Sequence, residues 1–149
     1  MDQTTHEFVL GIIDQAKDLT LATIRPDGYP QATTVSYCHD GLTIYVAIGR
    51  HSQKAENIRQ CDKVSLTINA EYIDWNHIKG LSIGAHAELL SDPEEIQHAG
   101  DCMLQRFPQV KEWAGTDAIK EIVFLKIRPQ VISVLNYEKG FGHTELVTV

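Results

Sequence analysis

The sequence predicts a mainly β (α+β) fold in which antiparallel strands form a barrel or a sandwich, flanked by a few helices. Several runs alternate apolar and polar residues, as half-buried strands do, and the clearest of them covers residues 64–68. Short turn sequences such as Pro26-Asp27-Gly28 join these runs, with proline and glycine where turns require them. Helical patterns are confined to a few segments.

The first part of the chain predicts a helix, three strands and a second helix. Phe8, Ile12 and Ile13 mark the apolar side of the first helix. In chain order, these elements cover residues 5–17, 19–25, 31–38 and 42–48, followed by a helix that begins at Ser52.

The second part of the chain predicts further strands and one more helix. That helix begins near Asp92, because an aspartate can cap the first turn and Pro93 suits the first helical position. Residues 69–79 predict a loop or a strand extension that holds Trp75. In chain order, the elements are strands over residues 64–68 and 80–90, a helix to about Arg106, and a last strand or strand pair over residues 122–127 and 131–135, interrupted at Arg128-Pro129.

Composition excludes several classes of protein. The 149 residues fit a single domain over residues 1–149, and the net charge of −7 argues against a nucleic-acid partner. No apolar stretch approaches the roughly 20 residues that span a membrane, and the start of the chain is unlike a signal peptide. Three widely spaced cysteines fit a reducing compartment, so we expect a cytoplasmic protein. The histidines and cysteines form no compact ligand set, so we expect no metal site.

The turn after residue 48 is the most informative local feature. An apolar run ends at Gly49, and a helix start follows with Arg50, Ser52 and Lys54 close together. Two cations and a hydroxyl beside the unpaired N–H groups of a helix start are typical of an anion site, and they predict a phosphate here. The alternative is a solvated helix end that Ser52 caps.

Four stretches carry a resemblance to a known family. In order and spacing, LATIRPDGYPQATTVSY, LTIYVAIGRHSQKAENI, KVSLTI and GAHAELLSDPEE resemble the FMN-binding split-barrel family whose best-known member is pyridoxamine 5′-phosphate oxidase. They cover most of residues 19–95. The resemblance implies a split β-barrel with flanking helices, FMN as the cofactor and a homodimer as the working unit.

The same resemblance implies the residues of a cofactor site. The FMN phosphate would lie at Arg50, Ser52 and Lys54, as the local pattern suggests. The strand containing Thr33, Thr34, Val35 and Ser36 would pass along the flavin ring and the ribityl chain, and Ile48 and Gly49 would contact the flavin. Alternatively, the threonines and the serine are ordinary strand residues.

Four further residues lie in segments that reach the flavin from the partner subunit in relatives: Trp75, Tyr137, Phe141 and His143. Trp75 would contact the flavin, although it can equally pack its own loop. Lys79 would lie near the pyrimidine edge, and His143 would donate a proton or hold a substrate. Alternatively, His143 is a solvated residue of the tail. The flexible, glycine-containing tail over residues 138–149 predicts a flap that closes on the flavin from the neighbouring subunit.

The chain departs from the true oxidases at two positions. Thr33 and Cys38 replace the arginine and the lysine of the family's Arg-x-Val-Leu-Leu-Lys strand, and that lysine helps to hold the substrate phosphate. The chain therefore resembles the small general-stress or nitroreductase-like members. We expect an FMN-dependent oxidoreductase that passes electrons from a reduced nicotinamide to a small acceptor, with no catalytic side chain assigned. The alternative is a flavin- or haem-binding protein or sensor without turnover.

Overall fold

The backbone forms one eight-stranded antiparallel sheet that curls into a split barrel, with three α-helices packed around it. The structure is a computed structural model that describes residues Met1–Val149. In chain order, the elements are α1 (Gln3–Gln15), β1 (Asp18–Ile24), β2 (Pro30–Ser36), β3 (Cys38–Asp40), β4 (Thr43–Gly49), α2 (Gln53–Gln60), β5 (Lys63–Asn69), β6 (Lys79–Leu89), α3 (Pro93–Arg106), β7 (Ile122–Asn136) and β8 (Thr144–Thr148), with short 3-10 helices in the connections.

The strand order shows how the barrel closes. The sheet runs β2-β1-β5-β6-β7-β4-β3, so β2 and β3 are its two ends. Only Tyr37 separates these two strands along the chain, and the sheet must therefore curl until its ends meet. The prediction of one strand over residues 31–38 is therefore wrong. These residues form two strands at opposite ends of the sheet, where β2 pairs with β1 and β3 pairs with β4.

Two contacts of its side chain anchor Tyr37 at this junction. Its side chain is fully buried, and its hydroxyl donates a 2.5 Å hydrogen bond to the carbonyl of Ile13 in α1. The guanidinium of Arg106 lies 5.1 Å from the ring centroid and also donates hydrogen bonds to carbonyls at the end of α1, including that of Asp14. The junction is thus held by groups from both α1 and α3.

Strand β7 is continuous, whereas the sequence predicted an interruption at Arg128-Pro129. Gly84 pairs with Val131 and Ala85 pairs with Pro129, so Gln130 has no partner in β6 and forms a bulge. A proline is tolerated beside a bulge because its missing N–H costs no ladder hydrogen bond there.

The other edge of β7 is shared between two strands. Strand β4 pairs with its first residues and β8 pairs with its last ones, while β6 occupies the opposite edge. Residues Thr144–Thr148 of the tail are therefore an ordered strand, whereas the sequence predicted a flexible segment over residues 138–149. Val147 packs partly against the core, but Leu146 stays exposed.

The core follows the alternation that the sequence predicted. Inward-facing side chains of the strands form the main cluster, with Val9, Ile12 and Ile13 of α1 packed against it. A smaller cluster lies between α3 and the strand pair β3–β4, and it includes Cys38 and Met103. None of the helices is long and apolar enough to cross a lipid bilayer.

The predicted helix starts are confirmed at two positions. The side chain of Ser52 accepts a hydrogen bond from the N–H of Ala55, and that of Asp92 accepts one from Glu95. Pro93 is the first residue of α3.

Replacement of Tyr37 by Phe tests the junction. We expect the free energy of unfolding at neutral pH to fall by about 1 kcal/mol, because a buried hydrogen bond is lost. Burial raises the pKa of Tyr37 from 10.0 to about 12. Between these values the unfolded chain releases a proton that the folded chain keeps, so the wild type loses stability as the pH rises.

The two proteins should therefore be equally stable near pH 11, and the Phe variant should be the more stable at higher pH. Urea denaturation of both proteins from pH 7 to pH 12 measures the difference. If the difference in the free energy of unfolding between the two proteins stays constant across that range, the raised pKa of Tyr37 is contradicted.

Candidate functional site

β2 and β4 lie side by side without pairing, and the space between their unpaired edges is called the cleft below. Ladder hydrogen bonds alternate along antiparallel strands, and two of them fix the phase of β2. The N–H of Tyr37 bonds to the carbonyl of Lys17, and that of Arg25 bonds to the carbonyl of Tyr29. Odd-numbered residues of β2 therefore bond to β1. The backbone N–H and C=O groups of the even-numbered residues therefore point into the cleft. The residues that have both groups are Ala32, Thr34 and Ser36.

The opposite wall of the cleft is the end of β4. The N–H of Arg50 bonds to the carbonyl of Glu121, so even-numbered residues of β4 pair with β7. Beyond the short pairing with β3, the backbone of Ala47 and the N–H of Gly49 face the cleft. The carbonyl of Gly49 already accepts a 3.1 Å hydrogen bond from the N–H of Ser52. The cleft is thus lined by unpaired backbone groups on both walls.

Side chains of β2 alternate between two faces. Gln31, Thr33 and Val35 are half-buried, whereas Thr34 and Ser36 are exposed. The predicted flavin strand therefore presents Thr33 and Thr34 to opposite sides. The hydroxyl of Thr33 is buried without a hydrogen-bond partner in this chain, and a buried polar atom of this kind suits a ligand hydroxyl.

Arg50 is engaged in holding the turn. Its guanidinium donates a 2.9 Å hydrogen bond to the carbonyl of Ile122 and a 3.4 Å one to that of Lys120. Arg59 of α2 in turn donates a 3.0 Å hydrogen bond to the carbonyl of Arg50. The sequence predicted a phosphate ligand at Arg50, but within this chain its contacts are structural.

Lys54 is the cation that remains available at the start of α2. It is half-buried and makes no ion pair or hydrogen bond within the chain. The hydroxyl of Ser52 caps the helix, as the alternative interpretation of this turn predicted. A cap at this position is compatible with a phosphate bound at the adjacent N–H groups. Ile48 is buried in the core, whereas the N–H of Gly49 faces the cleft.

A buried polar network that the sequence did not predict fixes α2 to the barrel. Asn57 is fully buried, and its amide donates to Thr23 at 2.9 Å and to Gln31 at 3.1 Å. Gln53 donates to its carbonyl oxygen at 2.8 Å. Because Gln31 belongs to β2, this network sets α2 beside the strand that forms one wall of the cleft. The only sequence signal was a polar residue on the buried side of the helix, next to Cys61.

The remaining predicted residues form a second group at another place. The ring centroids of Trp75 and Phe141 lie 6.4 Å apart, and those of Phe141 and Tyr137 lie 5.4 Å apart. Lys79 pairs with Glu138 at 3.1 Å. His143 is exposed and lines a small pocket of about 70 Å³ against the start of α1.

The loop that carries Trp75 is fixed by one carboxylate. Asp74 accepts a hydrogen bond from the N–H of Asn76 at 2.9 Å and contacts the ring of His77 at 2.7 Å. The hydrogen bond with His77 lowers the pKa of Asp74 below its ordinary value. Trp75 nevertheless remains 66% exposed, so it does not pack the interior of its own loop.

The two groups lie at opposite ends of β7. Gly49 pairs with Ile122 at its start, and Lys79 pairs with Asn136 at its end. Fourteen steps of about 3.3 Å each separate Ile122 from Asn136 by about 46 Å along the strand. The chain therefore does not unite the predicted residues in one site by itself. Elsewhere, no group of three or more His, Cys, Asp or Glu side chains is placed to hold a metal ion.

Comparison with known proteins gives consistent results. A family model described as pyridoxamine 5′-phosphate oxidase matches residues 5–136. General stress protein 26 of Bacillus subtilis strain 168 is 25% identical over 134 residues, which are 90% of each chain. A putative pyridoxamine 5′-phosphate oxidase from Listeria innocua superposes with a TM-score of 0.72 at 25% identity, covering 89% of this chain and 98% of that one.

A heme-binding protein from Mycobacterium smegmatis also shares the fold. It superposes with a TM-score of 0.82 at 18% identity, over 99% of this chain and 59% of that protein. This chain thus spans about three fifths of the length of that protein, and the likeness shows the fold alone.

Replacement of Asn57 by Ala tests the buried network. We expect a loss of about 2–3 kcal/mol in the free energy of unfolding, because the hydroxyl of Thr23 remains buried without a partner. Urea denaturation measures this, with the exposed Gln60→Ala on the same helix as a control near zero. In an Asn57→Ala/Thr23→Val double variant the losses should be less than additive. Additive losses would mean that the two side chains are not coupled.

Proposed function

Since the chain belongs to the pyridoxamine 5′-phosphate oxidase family, we propose that it is a flavoprotein. In this proposal it binds FMN in the cleft between β2 and β4 and uses it to pass electrons from a reduced nicotinamide to a small acceptor. The observation that carries the proposal is the row of unpaired backbone groups on both walls of the cleft, next to a helix start with an unpaired lysine.

The residues at the cleft fit the two ends of such a ligand. A flavin ring carries hydrogen-bond donors and acceptors along its edge, and the backbone of Thr34 and Ser36 offers both kinds of partner. A phosphate suits the N–H groups at the start of α2 and the charge of Lys54. The buried hydroxyl of Thr33 has no partner in the chain and suits a ribityl hydroxyl.

The bound flavin supplies the electron-transfer chemistry, and the protein binds and orients it. No side chain at the cleft is assigned as an acid or a base. Oxidation of pyridoxamine 5′-phosphate is not part of the proposal, because Cys38 stands where the true oxidases have a lysine. Cys38 is 1% exposed and packs under α3, so it does not reach a substrate in the cleft.

A homodimer completes the proposed site. Trp75 and Phe141 are large apolar side chains that are 66% and 78% exposed, and such clustered exposure favours an interface. In a two-fold pair, the second group of one chain can approach the cleft of the other, which one chain alone does not achieve. Three cysteines without a disulfide suit a reducing compartment such as the cytoplasm.

Haem binding without turnover is the second candidate, favoured by the likeness to the mycobacterial heme-binding protein. Of the predicted cofactor residues, only His143 is of a type that ligates haem iron, and it lies far from the cleft. We therefore expect the purified protein to show the two broad bands of a flavin. A sharp Soret band after reconstitution with both cofactors would favour haem instead, and absence of nicotinamide oxidation with flavin bound would indicate a binding protein.

The phosphate assignment predicts a preference for FMN over riboflavin. Lys54→Ala should weaken FMN binding by about 1.5–3 kcal/mol, or roughly 10- to 150-fold in Kd, and should leave riboflavin unchanged. Flavin fluorescence titration measures both ligands. Lys63→Ala is the matched control, since Lys63 is exposed on β5 away from the turn. Equal affinity of the wild type for the two flavins would exclude a phosphate site at this turn.

The shared site predicts complementation between chains. Differently tagged Lys54→Ala and Phe141→Ala chains, co-expressed and purified as a mixed dimer, should contain one intact site and one doubly altered site. We expect one FMN per mixed dimer at wild-type affinity, whereas the chain with both substitutions should bind none at that concentration. Two equally weakened sites in the mixed dimer would refute a site shared between the chains. Light scattering that shows a monomer while flavin is bound would refute it as well.

A further inference from the structure

Two of the three cysteines meet where β3 packs against α3. Cys38 is the first residue of β3 and is 1% exposed, and Cys102 lies in α3 and is half-buried. The third, Cys61, lies at the end of α2 and belongs to neither element.

Each of these two thiols reaches the backbone beside the other. The Sγ of Cys102 donates to the carbonyl of His39 at 3.4 Å, and His39 directly follows Cys38. The Sγ of Cys38 lies 4.0 Å from the carbonyl of Ala99, one helical turn before Cys102. Both cysteines also line the same pocket, so the two thiols lie side by side at the contact between β3 and α3.

The pair has access to solvent on one side. A pocket of about 310 Å³ opens beside it, and its lining includes Asp14, His39, Gln105 and Arg106 together with both cysteines. A small oxidant can enter such a space. Because Cys38 is almost completely covered, Cys102 is the thiol that the pocket exposes.

We propose that Cys38 and Cys102 form a modification site at which a hydroperoxide produces an intramolecular disulfide. The thiolate of Cys102 attacks the peroxide, takes up one oxygen as a sulfenic acid and releases an alcohol, or water from hydrogen peroxide. The thiol of Cys38 then displaces water from the sulfenic acid, and the S–S bond forms. Two thiols are oxidised and one peroxide O–O bond is reduced.

The environments assign the two roles. Burial raises the pKa of Cys38, which keeps it protonated and unreactive toward the first oxidant. It acts only after Cys102 has become an electrophile at short range. The cross-link would join α3 to the segment that follows Tyr37, where the two ends of the sheet meet.

The test uses the full-length protein, treated with a small excess of hydrogen peroxide under native conditions. We expect two of the three thiols to be lost, the mass to fall by that of two hydrogen atoms, and a Cys38–Cys102 peptide pair to appear in a non-reducing digest. Dithiothreitol should reverse the change, and Cys61→Ser should leave it intact. The cross-linked protein should also melt at a higher temperature, since the bond constrains the unfolded chain.

Single substitutions separate the roles. In the Cys38→Ser variant, oxidation should stop at a sulfenic acid on Cys102, which dimedone traps. In the Cys102→Ser variant, the buried thiol of Cys38 should stay reduced. Three unchanged thiols in the folded wild type would overturn the proposal. Loss confined to Cys61, disulfides formed between chains, or equal reactivity of Cys38 and Cys102 in these variants would overturn it as well.

Discussion

A single residue, Tyr37, separates the first and last strands of the sheet, so the barrel closes through the covalent chain. Closure of this kind brings β2 and β4 together without a hydrogen-bonded ladder between them. Their backbone groups remain unpaired along one side, and a backbone edge of this kind needs a partner. The cleft follows directly from this constraint, and the burial of Tyr37 under α1 and α3 keeps it in place.

The second constraint is the division of β7. One edge carries β6 throughout most of its length, and the other carries β4 first and β8 last. This division sends the turn after Gly49 and the aromatic group around Phe141 to opposite ends of one strand. A site that needs both groups therefore depends on a second chain, whereas the cleft itself belongs to one chain.

Most polar groups around α2 hold the helix in place. The buried amide of Asn57 binds the helix to β1 and β2, and Arg50 and Arg59 donate hydrogen bonds to backbone carbonyls. These contacts leave Lys54 as the cation that faces outward at the helix start. In the proposed flavin site, recognition would rest largely on backbone groups, which any sequence supplies, so the side chains of β2 would not specify the small-molecule partner.

The sequence by itself determined features that depend on near neighbours. The starts of α2 and α3 follow from Ser52, Asp92 and Pro93, since capping needs only adjacent residues. The alternation of β5 gave its buried face. The order of four stretches also identified the family and its split barrel.

Tertiary structure alone decided features that depend on distant partners. The break at Tyr37, the continuity of β7 past Pro129 and the pairing of β8 are set by which strand lies alongside, and no local pattern specifies that. The hydrogen bonds of Arg50 within the chain depend on distant partners for the same reason: their acceptors lie about 70 residues away. Long-range hydrogen bonds satisfy buried backbone groups, so they override local propensity wherever the two disagree.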